Sequence, residues 1–255
     1  MRKAVFFDID GTLIGRDKRL AESTKKAITA LQNNGIFTAI ATGRGPNTIQ
    51  PLLKALNMTS YVSFNGQYVV CMNKIISKHY LDSQYLKSLS KTVEKHHHQI
   101  IYLNEAVLEM EQQTQENFTA WKEAHMINSP KSYSDIYQAI IFIKENEDHY
   151  LKDFHDHYSF VRWSDQALDV IPSGRSKAEA IKAMTRKLKI DMRDVYTFGD
   201  GLNDIEMLQQ AGVGIAMGNA QDEVKKHADF VTTDVDDNGI VRGLQEVGLL
   251  SGEIR

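Results

Sequence analysis

Two carboxylates, Asp8 and Asp10, follow directly after a short apolar segment, Ala4–Phe7. Such a run of β-formers is typical of a buried strand in a parallel sheet, and ligands bind outside the carboxyl ends of such strands. If the chain leaves the strand extended, both side chains point the same way, because side chains alternate with a period of two. Like charges so close resist ionisation unless a cation lies between them. Oxygen ligands without a paired His or Cys favour magnesium over zinc.

Two further predicted strands, at 36–41 and 195–198, also end in polar turns that contain glycine. The residues of interest in these turns are Thr42, Gly43, Arg44, Asp200, Asn203 and Asp204. In a parallel sheet the three strand ends lie along one edge, and Lys177, at the start of a predicted helix, brings a cation to that edge. Acids, a divalent ion, a lysine and a hydroxyl suit phosphoryl transfer, in which a carboxylate can be the nucleophile. An Asp-rich surface turn and an exposed helix lysine are the alternatives.

Strands and helices alternate along the first part of the chain, and this order predicts parallel pairing of the strands. A helix is predicted over 22–34, between the first two strands. Asn65 and Gly66, after the third strand at 61–64, form the strongest hairpin signal in the chain. The elements that position the polar turns are therefore those of an α/β sheet.

The pattern changes between residues 83 and 172, where long polar helices are predicted over 83–98 and 112–125. The strands predicted in this region are 100–103, 107–110, 139–143, 159–163 and 167–171. We therefore expect an inserted α+β domain at 83–172. The segments 1–82 and 173–255 together form one discontinuous α/β domain.

Composition excludes several classes of protein. A chain of 255 residues with 42% hydrophobic content can bury one large core and a smaller inserted domain. Its 30 basic and 33 acidic residues give a net charge of −3, so neither nucleic acid nor an anionic membrane is expected as a partner. We expect no signal sequence and no membrane span, and the single cysteine, Cys71, fits a reducing compartment. A cytoplasmic monomer or weak homo-oligomer is expected.

Histidine and tryptophan positions have two interpretations each. Eight of the nine histidines lie between His79 and His157, including three in a row at 96–98. A zinc site is one interpretation, but a solvated helix end is favoured because no Cys and no pair at i,i+4 accompanies them. Trp121 and Trp163 either stack on a sugar or, as we favour, pack inside the insert.

Four motifs resemble, in order, the signatures of the haloacid dehalogenase (HAD) superfamily: FFDIDGTL, ATGR, the isolated Lys177 and GDGLND. An α/β insert between the second and third motifs looks like the Cof-type branch of sugar-phosphate phosphatases, which carry a class II cap. The resemblance implies an α/β fold, with a Rossmann-like parallel-sheet core and an inserted smaller α+β cap domain.

The resemblance also implies roles for the acidic residues. Asp8 is then the nucleophile and a magnesium ligand. Asp10 is the general acid and base, and its backbone carbonyl binds the metal. Asp200 completes magnesium binding, and Asp204 lies nearby as a ligand or as a neighbour of the ligands.

Phosphate and substrate contacts are implied for a second group of residues. The backbone amide of Ile9, the hydroxyl of Thr42, the ammonium of Lys177 and the side-chain amide of Asn203 bind the phosphate. Gly43 belongs to the same substrate-binding group. Arg44 has two interpretations: it contacts the substrate or its phosphate, or it pairs with an acid at the rim.

The predicted function is a Mg²⁺-dependent phosphatase for small phosphorylated metabolites, in particular sugar phosphates, which acts through an aspartyl phosphate. The alternatives are a phosphotransferase or phosphomutase of the same superfamily, and a metabolite-binding regulator with little turnover. A receiver-type signalling domain also uses acids, magnesium and a lysine, but the length of the chain and the position of Asp10 disfavour it.

Overall fold

The computed structural model describes residues 2–104 and 133–251 of the chain. The strands, in chain order, are β1 (Ala4–Phe7), β2 (Phe37–Ala41), β3 (Tyr61–Ser63), β4 (Tyr68–Cys71), β5 (Lys74–Lys78), β6 (Gln99–Leu103), β7 (Gln138–Phe142), β8 (Tyr158–Ser164), β9 (Ala167–Pro172), β10 (Val195–Gly199), β11 (Val213–Ala216) and β12 (Phe230–Val231). The helices are Glu22–Asn33, Gln50–Ala55, Ser83–Lys95, Lys177–Leu188, Ile205–Gln210, Asp222–Lys225 and Gly239–Glu246.

Eight strands form the larger sheet, in the order β12-β11-β10-β1-β2-β3-β4-β5. The pairs from β12 to β3 are parallel, and β4 and β5 continue the sheet as antiparallel strands. Strand β1 lies between β10 and β2, with Phe7 opposite Phe198 on one side and Ile40 on the other. The predicted α/β fold with a parallel-sheet core is confirmed.

Side chains of β1 alternate between two buried clusters, as the pleat requires. Val5 packs with residues of the helices Glu22–Asn33 and Gly239–Glu246 on one face of the larger sheet. Phe6 packs with the helix Lys177–Leu188 on the other face. Because both faces of the sheet are covered, most side chains of the central strands are apolar, and the charged side chains of the rim lie where the strands end.

The smaller sheet is antiparallel, in the order β6-β7-β9-β8. The helix Ser83–Lys95 covers one of its faces with Leu86, Leu89 and Val93. Asp82 caps this helix, since its Oδ1 accepts hydrogen bonds from the backbone N–H groups of Gln84 at 2.9 Å and Tyr85 at 3.3 Å. The smaller unit is α+β, as predicted, and the domain boundaries at 82/83 and 172/173 stay a prediction.

One predicted helix ends earlier than expected, and other predicted elements fall outside the described residues. The helix predicted to reach residue 98 ends at Lys95, so the three histidines at 96–98 follow the helix. His96 stacks on Tyr150 with ring centroids 4.0 Å apart, which is a packing contact. The strand predicted at 107–110, the helix predicted at 112–125 and Trp121 lie outside the described residues. Within 2–104 and 133–251, no helix has the length and hydropathy to cross a bilayer.

The predicted hairpin at Asn65-Gly66 joins β3 and β4, but its turn is not the two-residue type that the dipeptide predicts. Strand β3 ends at Ser63, and Phe64–Gly66 forms a tight turn in which the Gln67 N–H donates to the Phe64 carbonyl at 3.2 Å. Phe64 and Asn65 both have φ of 51°, and Gly66 has φ of 105°. Left-handed backbone at Phe64 is uncommon, so contacts with the rest of the molecule hold this turn.

Candidate active site

The carboxyl ends of β10, β1 and β2 are neighbours at one edge of the larger sheet, as predicted. Asp8 follows β1, and its backbone N–H donates to the carbonyl oxygen of Phe198 in β10 at 2.9 Å. Asp200 follows β10, and Thr42 follows β2. Parallel pairing therefore brings the first, second and fourth motifs to one rim.

Lys177 lies at the start of the helix Lys177–Leu188, and the Ser176 hydroxyl caps that helix by accepting from the backbone N–H of Glu179 at 3.2 Å. The Lys177 Nζ is 2.6 Å from Asp8 Oδ1 and 2.7 Å from Asp204 Oδ1, and all three side chains are buried. Burial opposes the charge of the ammonium, but the carboxylates of Asp204 and Asp8 outweigh it and raise the pKa of Lys177. The lysine is therefore a fixed cation beside Asp8.

Asp204 stabilises the turn that follows β10. Its Oδ2 accepts from the backbone N–H groups of Asp200 at 3.0 Å and Gly201 at 2.9 Å, while its Oδ1 contacts Lys177. A Cβ on Gly199 would lie 2.6 Å from the Asp204 Cβ, so the strand must end in glycine there. Both carboxylate oxygens of Asp204 therefore accept hydrogen bonds from groups of the protein.

Three carboxylates form the aspartate cluster: Asp8, Asp200 and Asp204 each offer one oxygen, and these oxygens lie within 4.8 Å of one another. Burial, then the charge of Asp204, raises the pKa of Asp8 well above its usual range. The same two causes raise the pKa of Asp200 to about 7, although a hydrogen bond from Thr12 Oγ1 at 2.8 Å opposes the rise.

The donor set of the aspartate cluster fits a hard divalent cation. Carboxylate oxygens are the ligands that Mg²⁺ and Ca²⁺ take, and no sulfur or imidazole belongs to the cluster. One ammonium, that of Lys177, faces the three carboxylates of the cluster, so a divalent cation would offset the remaining negative charge. Gly11, with φ of 78°, lets the backbone approach closely, since a Cβ there would lie 2.1 Å from Asp200 Oδ2.

Asp10 does not share its partners with Asp8. The strand ends at Phe7 and a turn begins at Ile9, so the condition of an extended backbone, on which the expected shared direction of the two carboxylates depends, is not met. Arg44 donates two hydrogen bonds to the Asp10 carboxylate, from Nε at 2.7 Å and from a terminal nitrogen at 2.6 Å. Burial would raise the pKa of Asp10, but the hydrogen bonds and charge of Arg44 lower it. Of the two interpretations of Arg44, the structure has the pairing with an acid.

Three of the predicted phosphate and substrate ligands, Thr42, Gly43 and Asn203, lie around Asn65. The backbone N–H of Asn65 donates to the Thr42 carbonyl at 3.0 Å, and a Cβ on Gly43 would lie 3.2 Å from the Asn65 amide nitrogen. The Asn203 Nδ2 donates to Asn65 Oδ1 at 3.1 Å. The second and fourth motifs therefore meet on a residue that belongs to neither.

The model of the haloacid dehalogenase-like hydrolase family matches residues 5–244 of the chain. The chain belongs to this family. The match covers all four motifs, and it confirms the superfamily predicted from them.

Relatives of this HAD chain are named as phosphatases. It is 38% identical over 254 residues to the protein named "Putative phosphatase YkrA" from Bacillus subtilis (strain 168), a match that covers 97% of this chain and 98% of that protein. A crystal structure of a hypothetical protein from Geobacillus kaustophilus HTA426 is 42% identical, with a TM-score of 0.82 over 98% of this chain and 100% of that one. The HAD subclass IIB sugar phosphatase BT4131 is 29% identical, with a TM-score of 0.84 over 97% of this chain and 100% of that one. The predictions of a Cof-type HAD protein and of a phosphoric monoester hydrolase are confirmed.

Three polar residues of this HAD site were not among the sequence predictions. Asn219 Nδ2 donates to the Gly11 carbonyl at 2.8 Å and lies 3.4 Å from Asp200 Oδ2. It follows β11, so Gly218-Asn219 is another polar strand end with glycine, a signal that was available from the sequence. The sequence indicated no more than a hairpin residue at Asn65 and a strand residue at Asp169. An acid in the middle of the apolar strand 167–171 is the signal that marks Asp169.

Proposed function

We propose that the chain is a Mg²⁺-dependent phosphatase that hydrolyses small phosphorylated metabolites, with sugar phosphates as its substrate class. One observation carries the proposal: Asp8 is buried at a strand end, bound to the Lys177 ammonium at 2.6 Å, and grouped with Asp200 and Asp204. A carboxylate held beside a fixed cation and two further acids suits attack on a phosphoryl group whose oxygens must be neutralised.

The reaction we propose has two displacements at phosphorus. In the first, an Asp8 oxygen forms a bond to phosphorus while the bond to the leaving oxygen breaks, and Asp10 gives that oxygen a proton. In the second, water attacks phosphorus, Asp10 takes the proton from the water, and the bond to Asp8 breaks to release inorganic phosphate. Lys177 offsets negative charge on Asp8 and on the phosphoryl oxygens throughout.

Asp10 needs different protonation states in these two steps. Its ion pair with Arg44 favours the ionised form, which is the form that takes a proton from water. Donation to the leaving oxygen requires a proton on Asp10, so Arg44 must release the carboxylate before that step. The substrate phosphate is a dianion and competes for the same guanidinium.

The metal ligands in this proposal are Asp8, Asp200 and the backbone carbonyl of Asp10, with Asp204 beside them. Mg²⁺ supplies positive charge against the carboxylates and the phosphoryl oxygens when it is bound. Ile9 and Thr42 complete the phosphate contacts, from a backbone N–H and a hydroxyl. We place the activity in the cytoplasm, in a monomer or weak homo-oligomer.

The smaller sheet favours small substrates. Strand β8 contacts the turn Leu202–Asp204, so the smaller sheet lies beside the rim and restricts the access of a macromolecule to it. Closure of this kind excludes water until the phosphoryl group has been transferred. The likeness to a sugar phosphatase in sequence and fold supports phosphorylated sugars over other monoesters.

A phosphate-release screen tests the proposal. The panel contains sugar phosphates, nucleotides, pyridoxal phosphate and p-nitrophenyl phosphate, each with Mg²⁺ and without an added acceptor. Release of inorganic phosphate is expected, strongest for a sugar phosphate. Transfer that appears only with an acceptor favours a phosphotransferase or mutase, and tight binding without turnover favours a regulator.

A further inference from the structure

A series of hydrogen bonds joins the smaller sheet to the fourth motif. Asn203 Nδ2 donates to Asn65 Oδ1 at 3.1 Å, and Asn65 Nδ2 donates to Asp169 Oδ2 at 2.7 Å. The other Asp169 oxygen accepts from Trp163 Nε1 at 2.9 Å, and Asn65 Nδ2 also lies 3.2 Å from Gln138 Oε1. We call Asn203, Asn65, Asp169 and Trp163 the relay. Asn65 and Asp169 are almost fully buried, at 2% and 5% exposed.

Strand alternation places Asp169 on the side of the smaller sheet that faces the larger one. Its neighbours Leu168 and Val170 pack in the cluster under the helix Ser83–Lys95. Asp169 therefore lies on the opposite face, where Ile140, its partner across the ladder, packs with Phe64 of the larger sheet's hairpin turn. A carboxylate in the middle of a buried strand face has no packing role that an apolar residue would not fill better.

Trp163 reaches Asp169 from an irregular part of β8. The ladder between β8 and β9 shifts register between Arg162 and Ser164, around Trp163. Such a bulge re-aims a side chain, and here the indole N–H is directed at the Asp169 carboxylate.

The turn that carries Asn65 is fixed from the larger sheet. Phe64 N–H donates to the Arg44 carbonyl at 3.1 Å, and Asn65 N–H donates to the Thr42 carbonyl at 3.0 Å. The left-handed backbone of Phe64 and Asn65 is thus held by the second motif itself. Strain of this kind occurs where the position of a side chain matters to function.

Donors and acceptors in the relay fit in one direction only. Both Asp169 oxygens accept, so the Asn65 amide must turn its nitrogen to Asp169 and its oxygen to Asn203. The Asn203 amide nitrogen is then oriented by Asn65. Burial raises the pKa of Asp169 to about 7, while the hydrogen bonds from Asn65 and Trp163 lower it, so those donors favour the ionised acceptor.

We propose that Asp169 is a positioning residue that acts through Asn65 to orient the Asn203 amide towards the substrate phosphate. The orientation requires the smaller sheet to be seated on the larger one, so phosphate binding and closure are coupled. This inference rests on the proposed function, in which Asn203 binds the phosphate.

Isosteric substitutions test the relay without changing its volume. Asp169→Asn puts an amide nitrogen against the donors of Asn65 or Trp163, and Asn65→Asp puts a carboxylate against Asp169. The double variant Asp169→Asn with Asn65→Asp restores complementary groups, since the new amide at position 169 donates to the new carboxylate at position 65. That carboxylate still accepts from Asn203. Asp165→Asn, in the exposed turn between β8 and β9, is the matched control.

The measurements are kcat, KM and the inhibition constant of inorganic phosphate, with Mg²⁺ and the best substrate of the screen. We expect Asp169→Asn to raise KM and the phosphate inhibition constant about tenfold, with kcat changed less than about threefold. The double variant returns both constants to within about threefold of wild type. A merely structural role would instead lower the active fraction, and so apparent kcat, with both constants unchanged.

Each result of these measurements supports or contradicts either the relay or the proposed function. Unchanged constants in folded Asp169→Asn, or a double variant no better than the single ones, overturns the relay while the phosphatase stands. An inactive wild type overturns the proposed function. The relay is then tested by NMR, from the side-chain amide resonances of Asn203, which are identified by their loss in Asn203→Asp. These must move in Asp169→Asn and stay in place in Asp165→Asn, and resonances that do not move in Asp169→Asn overturn the relay. Loss of folding in a single variant leaves the decision to the double variant and to Trp163→Phe, which removes one donor to Asp169 and must raise KM.

Discussion

The rim of the larger sheet and the facing side of the smaller sheet both contain buried carboxylates, but they use them differently. At the rim, Asp8 and Asp204 share one lysine, and Asp200 adds a further acid with a raised pKa. On the smaller sheet, Asp169 accepts hydrogen bonds from the uncharged side chains of Asn65 and Trp163. The rim concentrates negative charge, whereas the hydrogen bonds to Asp169 fix the orientation of uncharged side chains.

The two regions therefore have different roles: the rim has the groups that suit the reaction, and the smaller sheet has a group that orients its neighbours. Buried charges in excess of their partners are destabilising by themselves, and they are typical of sites that bind an ion or a charged substrate. A single carboxylate that accepts every hydrogen bond offered to it fixes the direction of the neighbouring amides. We therefore expect substitutions at the rim to remove the reaction, and substitutions on the smaller sheet to change binding.

The largest difference between the two regions is expected from Asp8→Asn. The amide cannot act as the nucleophile, so kcat falls at least about a thousandfold, while the isosteric side chain leaves the fold intact. Hydrolysis of p-nitrophenyl phosphate and circular dichroism measure the two effects. The control is Asp165→Asn on the smaller sheet, which keeps wild-type kcat. Wild-type turnover in a clean preparation of Asp8→Asn contradicts the assignment of the nucleophile.

Removal of the metal is expected to have the second largest effect, and it acts on the rim. Because the aspartate cluster has more negative charge than Lys177 offsets, EDTA is expected to lower activity at least about a hundredfold, and added Mg²⁺ to restore it. Thermal denaturation in the same buffers measures the stabilisation by bound metal in the absence of a substrate. Recovery with Zn²⁺ but not with Mg²⁺ argues against the choice of metal.

The pH dependence of stability separates Asp200 from Asp169. Burial is the main cause of both pKa values of about 7, so each folded carboxyl group holds its proton more tightly than the unfolded chain does. In EDTA, each group contributes stability at low pH that is lost as the pH rises from about 4, the unfolded pKa, to about 7. Mg²⁺ reverses this loss for Asp200, which belongs to the aspartate cluster, and leaves it unchanged for Asp169.

Melting temperatures between pH 5.5 and pH 8 test this difference. Asp200→Asn is expected to raise Tm in EDTA at pH 8 by about 2–4 °C per kcal/mol gained, and to abolish the further rise caused by Mg²⁺. Asp169→Asn keeps the response to Mg²⁺. A response to Mg²⁺ that survives in Asp200→Asn removes Asp200 from the metal site.

The smallest effect is expected from Trp163→Phe, which keeps an aromatic ring and loses one donor to Asp169. Loss of one hydrogen bond in a partly exposed pair is worth about 1 kcal/mol, so KM rises less than about tenfold and kcat stays within about twofold. Steady-state kinetics with a sugar phosphate measure both constants. A collapse of kcat to the level of Asp8→Asn would place Trp163 with the rim and end the distinction between the two regions.

Much of the fold was predictable because the signals are local. An apolar segment ending in Asp8, and the two polar strand ends at 42–44 and 199–204, each lie within a few residues of chain. Parallel pairing follows from the order of strands and helices, and it brings those ends to one edge. The helix end at Lys95 was predicted three residues too late, because the histidines that follow it carry no strong stop signal.

Long-range contacts of the site were not predictable in the same way. Arg44 had two interpretations, and its choice of Asp10 depends on a turn at Ile9 that the apolar pattern does not indicate. Asn65 looked like an ordinary hairpin residue. Its role at the junction follows from a left-handed turn that is held by the Thr42 carbonyl.

The order and type of the residues were enough to predict which strands end in acids, which helix begins with Lys177, and that these ends meet at one rim. The reason is that strand ends and helix caps depend on residues that are neighbours in the chain. Only the tertiary structure decided which side chains pair across the rim, and that Asp169 and Asn65 join the two sheets. Partners far apart in the chain are selected by packing and by the balance of donors and acceptors, and neither leaves a local pattern.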